Sequence, residues 1–222
     1  MGNCWERKLI LFDLDGCLID TLPDIVGMVN LTRKKMGLPA LDEEFVKSCI
    51  GGGGRKLWIK CTADAPERLE EAMSLAGPAY NECVADHSFP YPGVIDTLKA
   101  LKGKRPMAVA TNKVRAATMK LFREREMLEY FDYIICADDV TKMKPDPECI
   151  FTVLDHFGLK PEDAVLVGDT PTDVLTARNA GVDTIGVTYG MAKREDLAAS
   201  GPLFMVDAME EVLELLLPPE ER

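Results

Sequence analysis

Histidine is nearly missing from this chain of 222 residues, which contains only His87 and His156. Two histidines leave almost no material for a histidine-rich metal site or for a Ser-His-Asp triad. Seven cysteines occur, an odd number without any CxxC pair. We therefore expect reduced core thiols of a cytoplasmic protein, not a disulfide framework or a zinc site.

Positive charge is also scarce, since Lys and Arg number 26 against 37 Asp and Glu, a formal net charge of −11. This balance argues against nucleic acid or an anionic membrane surface as a partner. No apolar run approaches the length of a membrane span, and the first residues, MGNCWERK, match neither a signal region nor a myristoylation motif. We expect a monomer or homodimer that binds a small molecule.

The most informative stretch is LILFDLDGCLIDT, residues 9–21, in which four apolar residues run into DLDG. This pattern is typical of a buried parallel strand that ends at a glycine turn. Asp13 and Asp15 are two residues apart, so both side chains can point the same way at the strand end. Two buried like charges need a cation or a retained proton. The pair therefore predicts a metal site and a catalytic role.

The chain is helical after this strand as far as residue 91, and strands and helices then alternate. The pattern predicts four helical segments, at 22–36, 42–49, 55–61 and 66–87. A linker containing proline and glycine is predicted at 88–93. Further helices are predicted at 94–101, 115–125, 147–157, 172–180, 194–199 and 209–216, and strands at 107–110, 133–136, 164–167, 184–187 and 204–206. The alternation predicts an α/β fold, with a doubly wound parallel sheet formed by 1–17 and 92–222 and a helical insertion at 18–91.

Polar side chains follow two more of the predicted strands. Thr111 and Asn112 offer phosphate-oxygen donors, although both residue types also commonly begin helices. Asp169 directly follows an apolar strand, whereas Asp173 could equally be a first-turn acid of the next helix. Because the carboxyl ends of parallel strands converge on one crevice, we expect these residues to be neighbours of Asp13.

Lys144 lies in the stretch KMKPDP, whose two prolines stiffen the backbone around it. A solvated surface lysine is the ordinary interpretation of any single Lys. Beside the four aspartates, however, it gains a function, because carboxylates are hard ligands suited to Mg²⁺ and a bound phosphate needs compensating cations. An aspartate could then attack phosphorus in line and form an acyl phosphate.

The motifs DLDG, TN, KPDP and GDTPTD, in this order, resemble the four motifs of the haloacid dehalogenase superfamily of phosphatases. The resemblance implies that Asp13 is the nucleophile and a Mg²⁺ ligand. It implies that Asp15 is the general acid/base and lends its backbone carbonyl to the metal. Because a general acid must hold a proton when the alcohol leaves, we expect activity to fall at high pH.

The same resemblance implies roles for the other motif residues. Thr111 and Asn112 match the phosphate-binding motif. Lys144 matches the lysine that neutralises the nucleophile and the phosphate. Asp169 matches a direct metal ligand, and Asp173 a second acid that acts on the metal through water.

In that superfamily a helical insertion after the first motif is a cap that closes over the substrate and selects it, so the resemblance implies a cap at 18–91. Its sequence GGGGRK has neither the dinucleotide nor the P-loop spacing. It is either a flexible loop between helices or a specificity loop. In the second interpretation Gly53, Gly54, Arg55 and Lys56 reach a carboxylate or second anionic group of the substrate.

The segment PYPGV and the compact helical insertion are most similar to phosphoglycolate phosphatases. The resemblance implies Mg²⁺-dependent hydrolysis of a small phosphomonoester through an aspartyl phosphate. A pyrophosphatase or a phosphomutase of the same superfamily is an alternative, although the mutase pattern has a histidine near Ile25 and none occurs here. A non-catalytic phospho-aspartate switch or binding module is the alternative from another class; a switch should lack a cap.

Overall fold

A parallel sheet of six strands forms the centre of the protein, in a computed structural model that describes residues 4–222 except for the side chains of residues 81 and 82. The strands are β1 (Leu9–Phe12), β2 (Ile19–Asp20), β3 (Phe89–Pro90), β4 (Met107–Ala110), β5 (Tyr133–Ile135), β6 (Ala164–Gly168), β7 (Asp183–Val187) and β8 (Phe204–Val206). The sheet has the order β5-β4-β1-β6-β7-β8, and every neighbouring pair in it is parallel. The predicted doubly wound sheet is confirmed.

The helices follow the predicted order. They are α1 (Leu22–Lys35), α2 (Glu43–Cys49), α3 (Gly54–Cys61), α4 (Leu69–Cys83), α5 (Val94–Leu101), α6 (Arg115–Glu124), α7 (Glu148–Phe157), α8 (Pro171–Ala180), α9 (Arg194–Ser200) and α10 (Met209–Leu216). Within residues 4–222, none of them combines the length and apolar character that crossing a membrane requires.

Both faces of β1 are buried, which explains its uninterrupted apolar run. Ile10 and Phe12 belong to the apolar cluster that includes residues of α5, α6 and α10. Leu9 and Leu11 alternate with them and belong to the opposite cluster, with residues of α7 and α8. All four side chains are inaccessible to solvent, and each contributes roughly 1.5–3 kcal/mol by burial. This burial fixes the strand end from which the first two aspartates project.

Helices α1–α4, here called the helical unit, pack around a separate apolar cluster, which also includes Met191 from the segment after β7. Each helix contributes to it, for example through Val29, Val46, Trp58 and Ala72. The unit is inserted between β1 and β4. Its two connections to the sheet lie side by side, because β2 pairs antiparallel with β3. The segment 88–93, predicted as a linker or turn, does connect the helical unit to α5, but two of its residues, Phe89 and Pro90, form a short strand that the prediction did not include.

The helix predicted over 66–87 is wrong at both ends. Pro66–Arg68 form a 3-10 turn before α4, and α4 ends before Ala85, whose φ of 78° lies in the left-handed region. The buried Asp24 of α1 accepts hydrogen bonds from the backbone N–H groups of Ala85 and His87. The Asp24 carboxylate, about 60 residues earlier in the chain, thus stabilises the turn that ends this helix.

Candidate active site

Three adjacent strands deliver the predicted polar residues to one edge of the sheet. Asp13 follows β1, Thr111 follows β4 and Asp169 follows β6. Strand β1 lies between the other two, and Phe12 is in register with Val109 on one side and with Val167 on the other. The expectation that these strand ends meet is confirmed for the sheet itself, and the side chains that follow are neighbours.

Lys144 is the central cation of this edge. Its buried Nζ lies 2.6 Å from Asp13 Oδ1 and 2.6 Å from Asp173 Oδ1, and it donates to the Ala110 carbonyl at 2.9 Å. These acceptors satisfy all three of its donors. Burial alone would lower the pKa of Lys144, but Asp13 and Asp173 raise it above its ordinary value. The ammonium is therefore held charged and fixed in position.

Asn112 holds the backbone of Lys144. Its Oδ1 accepts from the Lys144 N–H at 2.9 Å, and its Nδ2 donates to the Lys144 carbonyl at 3.1 Å. Both polar groups of the amide are thus engaged by the segment that carries the lysine. The neighbouring Thr111 hydroxyl accepts from the Lys113 backbone N–H at 3.1 Å. Thr111 and Asn112 were both predicted to bind phosphate. In this structure the side-chain amide of Asn112 is already hydrogen-bonded to the backbone of Lys144.

Three buried carboxylates lie close together, and two of them, Asp13 and Asp173, contact Lys144. One oxygen from each of Asp13, Asp169 and Asp173 lies within 4.8 Å of the others. Burial raises the pKa of Asp13 to about 7, against the opposing effect of Lys144 and with a further rise from Asp173. Burial also raises the pKa of Asp169 well above its ordinary range, and the two other carboxylates add to the rise. One ammonium does not compensate three carboxylates.

This cluster fits a divalent cation. Asp169 Oδ2 accepts from the Met191 backbone N–H at 2.6 Å, whereas its buried Oδ1 has no hydrogen-bond partner. A buried carboxylate oxygen without a partner is costly, and a set of carboxylate oxygens is the hard donor set that binds Mg²⁺ and related ions. The Asp15 carboxylate is not part of the cluster found among the described residues, so only its backbone carbonyl remains for a metal.

Two features of the structure require a glycine at Gly16 of the DLDG motif. Gly16 has a φ of +87°, a backbone conformation that residues with a side chain rarely adopt. A β-carbon on Gly16 would also overlap the Asp169 carboxylate, as would one on Gly190. The Asp169 side chain therefore lies in a slot between two glycine backbones. The sequence analysis did not identify Gly190 or Met191, whose signal is only a TYGM segment after an apolar strand.

The Asp15 side chain is held by two donors. Its Oδ1 accepts from the Thr21 hydroxyl at 2.7 Å and from Lys113 Nζ at 2.6 Å. Lys113 is buried, and its ammonium lies 4.9 Å from the centre of the Tyr80 ring of α4. Burial would lower the pKa of Lys113, but Asp15 and then Tyr80 raise it. The sequence analysis missed Lys113, although its signal is a lysine directly after the TN motif.

A cavity of about 480 Å³ lies between the helical unit and this edge of the sheet. The predicted site residues that line it are Asp13, Asp15, Gly53, Gly54, Arg55, Thr111, Asn112, Lys144 and Asp173. Two predicted site residues are not among the described residues that line the cavity: Asp169, which is buried, and Lys56, whose side chain is exposed. The structure thus brings the GGGG loop, through its last glycines and Arg55, over the acidic cluster.

Comparisons with known proteins agree with this geometry. A family model described as haloacid dehalogenase-like hydrolase matches residues 10–187. The chain is 36% identical over 228 residues to phosphoglycolate phosphatase 1 of Pseudomonas aeruginosa, covering 96% of this chain and 84% of that protein. It is 32% identical over 222 residues to a phosphoglycolate phosphatase of Vibrio vulnificus, covering 96% and 97%.

Solved structures give the same result. A Haemophilus somnus protein described as a predicted phosphoglycolate phosphatase matches with a TM-score of 0.89 at 29% identity, covering 94% of this chain and 97% of that one. A haloacid dehalogenase-like hydrolase from Streptococcus pneumoniae matches with a TM-score of 0.86 at 26% identity and the same coverage. The resemblance inferred from the four motifs is confirmed, and the chain belongs to the haloacid dehalogenase-like hydrolase family.

Proposed function

We propose that this protein hydrolyses small phosphomonoesters with Mg²⁺ through an aspartyl phosphate on Asp13, as a phosphoglycolate phosphatase-like enzyme. The observation that carries the proposal is the contact of Lys144 with Asp13 and Asp173 on the floor of a cavity. A fixed ammonium beside a carboxylate is what a phosphate dianion needs in order to approach a negatively charged nucleophile. The name of the relatives makes 2-phosphoglycolate the first natural ester to test.

In the first step a carboxylate oxygen of Asp13 attacks phosphorus, a P–O bond forms, and the bond from phosphorus to the alcohol breaks. Lys144 stays hydrogen-bonded to Asp13 Oδ1, which orients the carboxylate and offsets the charge that collects on the phosphoryl oxygens. The Thr111 hydroxyl, and an N–H of Asn112 not used by Lys144, are the proposed donors to those oxygens. In the second step water displaces the acyl oxygen from phosphorus.

Asp15 is the proposed general acid and base. Its proton goes to the departing alcohol in the first step, and it receives a proton from the attacking water in the second, so the enzyme returns to its starting state. In this structure its carboxylate accepts from Thr21 and Lys113. These two donors restrict where the carboxylate can lie and make Lys113 a positioning residue.

Asp13, Asp169, Asp173 and the backbone carbonyl of Asp15 are the proposed holders of Mg²⁺. When bound, the ion neutralises carboxylate and phosphate charge and orients the phosphoryl group. The partnerless Oδ1 of Asp169 supports this assignment, because a cation would satisfy it without any change of fold.

Residues 18–91 are proposed to form a cap over the core made by 1–17 and 92–222. The helical unit has its own apolar cluster and contributes one wall of the cavity, as expected of an element that excludes water from the reaction. Gly53, Gly54, Arg55 and Lys56 stay a prediction as the specificity loop. None of the seven cysteines, all of which the structure describes, forms a disulfide bond, which supports the proposed cytoplasmic location.

The direct test is turnover of p-nitrophenyl phosphate with and without Mg²⁺, combined with acid quenching of the reaction to trap acyl phosphate. We expect Mg²⁺-dependent turnover that is lost in Asp13→Asn together with the trapped intermediate. A long-lived acyl phosphate without turnover would instead support the phospho-aspartate switch. Transfer of phosphate to a second hydroxyl of a sugar phosphate, in place of release to water, would support the phosphomutase, and preference for pyrophosphate the pyrophosphatase.

A further inference from the structure

The wall that the helical unit contributes to the cavity is mostly apolar. Three of its helices supply large apolar side chains to it. The wall residues are Ile25 and Met28 of α1, Leu57 and Trp58 of α3, and Met73 and Ala76 of α4. The floor, in contrast, holds the carboxylates and the ammonium of Lys144. The cavity is therefore divided into a charged side and an apolar side.

Two apolar side chains continue the wall onto the opposite rim. Two of the lining residues belong to the part of the chain outside the helical unit: Val114, which directly follows Lys113, and Met143, which directly precedes Lys144. Their exposed fractions are 49% and 39%. Apolar groups exposed around a concave site mark a place where an apolar ligand group removes them from water.

The apolar wall already faces the floor in this structure. A β-carbon on Gly53 would lie 3.2 Å from the Met143 sulfur, so the GGGG loop lies close to the segment that carries Lys144. Tyr80 of α4 lies over Lys113, with 4.9 Å between the ammonium and the ring centre. Because these two contacts hold the helical unit close to the catalytic residues, a phosphoryl group on the floor would place its alcohol near the wall.

Three cations occur among the described residues that line the cavity, namely Arg55, Lys113 and Lys144. Arg55 belongs to the helical unit, at the start of α3, and its Nη1 lies 3.4 Å from the sulfur of the wall residue Met73. Lys113 and Lys144 are paired with floor carboxylates. Arg55 is bonded to Glu70 at 2.8 Å with its side chain 55% exposed. Away from Arg55, a charged or strongly hydrated alcohol would lose water against the apolar side chains without gaining hydrogen bonds, which is unfavourable.

We propose that the preferred substrates are phosphomonoesters of alcohols with an apolar alkyl or aryl segment longer than two carbons, bound with that segment against Trp58 and the neighbouring wall. The inference rests on the proposed function for its phosphoryl end. The volume of about 480 Å³ lies within the range of roughly 300–1,000 Å³ found for pockets that hold drug-sized ligands. A two-carbon ester such as 2-phosphoglycolate reaches the floor but leaves most of the wall uncovered.

The test compares ethyl, butyl and hexyl phosphate with Mg²⁺. Their leaving alcohols are nearly equal in acidity, so differences in kcat/KM report contact with the wall and not the difficulty of breaking the ester bond. Complete burial of one methylene corresponds to roughly a fourfold gain. Since the alkyl chain is only partly buried, we expect kcat/KM to rise by about twofold per methylene, and by tenfold or more from ethyl to hexyl phosphate.

Variants locate the effect on the wall. Trp58→Ala and the milder Met73→Gln should each lower the hexyl-to-ethyl ratio of kcat/KM at least threefold. Ile59→Ala is the matched control, because Ile59 neighbours Trp58 on α3, is 51% exposed and is not among the residues that line the cavity. It should leave the ratio unchanged. Both esters are measured on one preparation, so the ratio does not depend on the fraction of protein that is folded.

Binding separates this inference from the function on which it rests. Ethyl-, butyl- and hexylphosphonate cannot be hydrolysed, and calorimetric titration with Mg²⁺ should show a Kd that falls along the series. Absence of turnover with a falling Kd would end the phosphatase proposal and keep the apolar wall as a ligand site. Turnover of ethyl phosphate with kcat/KM and Kd flat or worsening toward hexyl would overturn the inference and leave the phosphatase intact.

Discussion

Lys113 Nζ lies 2.6 Å from Asp15 Oδ1, and the two side chains are only 5% and 18% exposed. Removing one member of such a pair leaves the other desolvated without its partner. We expect Lys113→Met to lower the free energy of unfolding by about 3 kcal/mol. Urea denaturation of the metal-free protein provides the measurement.

The double variant tests the cause of that loss. In Lys113→Met/Asp15→Asn no uncompensated charge remains, so much of the stability should return. If the double variant is less stable than Lys113→Met by the full effect of Asp15→Asn alone, the two side chains are not coupled. The methionine would then act through packing against Tyr80.

Asn112 should control kcat both through the backbone of Lys144 and as a proposed donor to the phosphoryl oxygens. Asn112→Asp keeps an acceptor for the Lys144 N–H but sets a carboxylate oxygen against the Lys144 carbonyl, which accepts from Nδ2 in the native protein. A displaced ammonium no longer offsets charge at the nucleophile, so we expect kcat to fall by at least about tenfold. Steady-state kinetics with p-nitrophenyl phosphate measures it.

Asn179→Ala is the matched control for that change. Asn179 donates to the Pro145 carbonyl at 2.9 Å, one residue beyond Lys144, and this hydrogen bond is exposed. Its loss should change kcat less than twofold, since an exposed hydrogen bond contributes about 1 kcal/mol or less to local stability. Equal losses in both variants would mean that general loosening of this loop, and not the position of Lys144, determines the rate.

The raised pKa of Asp13 makes metal-free stability depend on pH. Its value rises from 3.8 to about 7 on folding, so the folded state binds the extra proton and loses this advantage as pH increases toward 7. Between pH 5.5 and 7.5 the free energy of unfolding should fall by about 2 kcal/mol. Urea denaturation in EDTA measures the fall, and Asp13→Asn should reduce it, because Asp169, whose pKa burial also raises, still favours the protonated folded state. A wild-type curve that is flat or rises with pH contradicts the prediction.

Metal binding should stabilise the protein through Asp169. At a Mg²⁺ concentration of about 100 times Kd, the gain is about 2.7 kcal/mol, seen as a higher Tm than in EDTA. Asp169→Asn should lose most of the gain, because it replaces the buried partnerless oxygen by an amide. Asp155→Asn, at an exposed acid of α7, serves as the control and should keep it. A gain that survives Asp169→Asn would place the ion elsewhere.

We expect Arg55 to bind a second anionic group of the substrate, as the specificity-loop hypothesis predicts. Its pair with Glu70 is exposed on both sides and therefore worth at most about 1 kcal/mol, so a substrate carboxylate can replace it. Arg55→Gln should raise KM for 2-phosphoglycolate several-fold more than for ethyl phosphate. The exposed Lys56 lies outside the cavity lining, so Lys56→Gln should give the smaller change. Equal effects of Arg55→Gln on both esters would refute carboxylate reading.

The strand ends could be predicted from the sequence, whereas the hydrogen bonds among the site residues could not. Asp13, Thr111 and Asp169 could be placed because apolar runs identify buried strands and parallel strands end at one edge. The double hydrogen bond of Asn112 to Lys144 could not, since side-chain to backbone bonds across 32 residues leave no periodic trace. Lys113 was missed for the same reason. A lysine looks solvated until the fold buries it.

The helical unit shows the same limit. Its helices follow from apolar spacing and cap residues, but the turn at Ala85 depends on Asp24, a residue of α1. The pairing of β2 with β3 involves two residues on each side, too few for any alternation to be seen. Similarly, the lining of the cavity by Arg55 and not Lys56 depends on how the first turn of α3 is rotated, which the GGGGRK segment does not specify.

The pairing of Ile19–Asp20 with Phe89–Pro90 has a consequence for how such a chain can change over time. Because the chain enters and leaves the helical unit at adjacent points, an insertion of different length or sequence can replace this unit while the parallel strands keep their order. The phosphate-handling floor and the region that meets the alcohol can therefore be inherited separately. If the proposed cap selects the substrate, substrate specificity in this chain can change by replacement of the helical unit while the catalytic residues at the sheet edge stay in place.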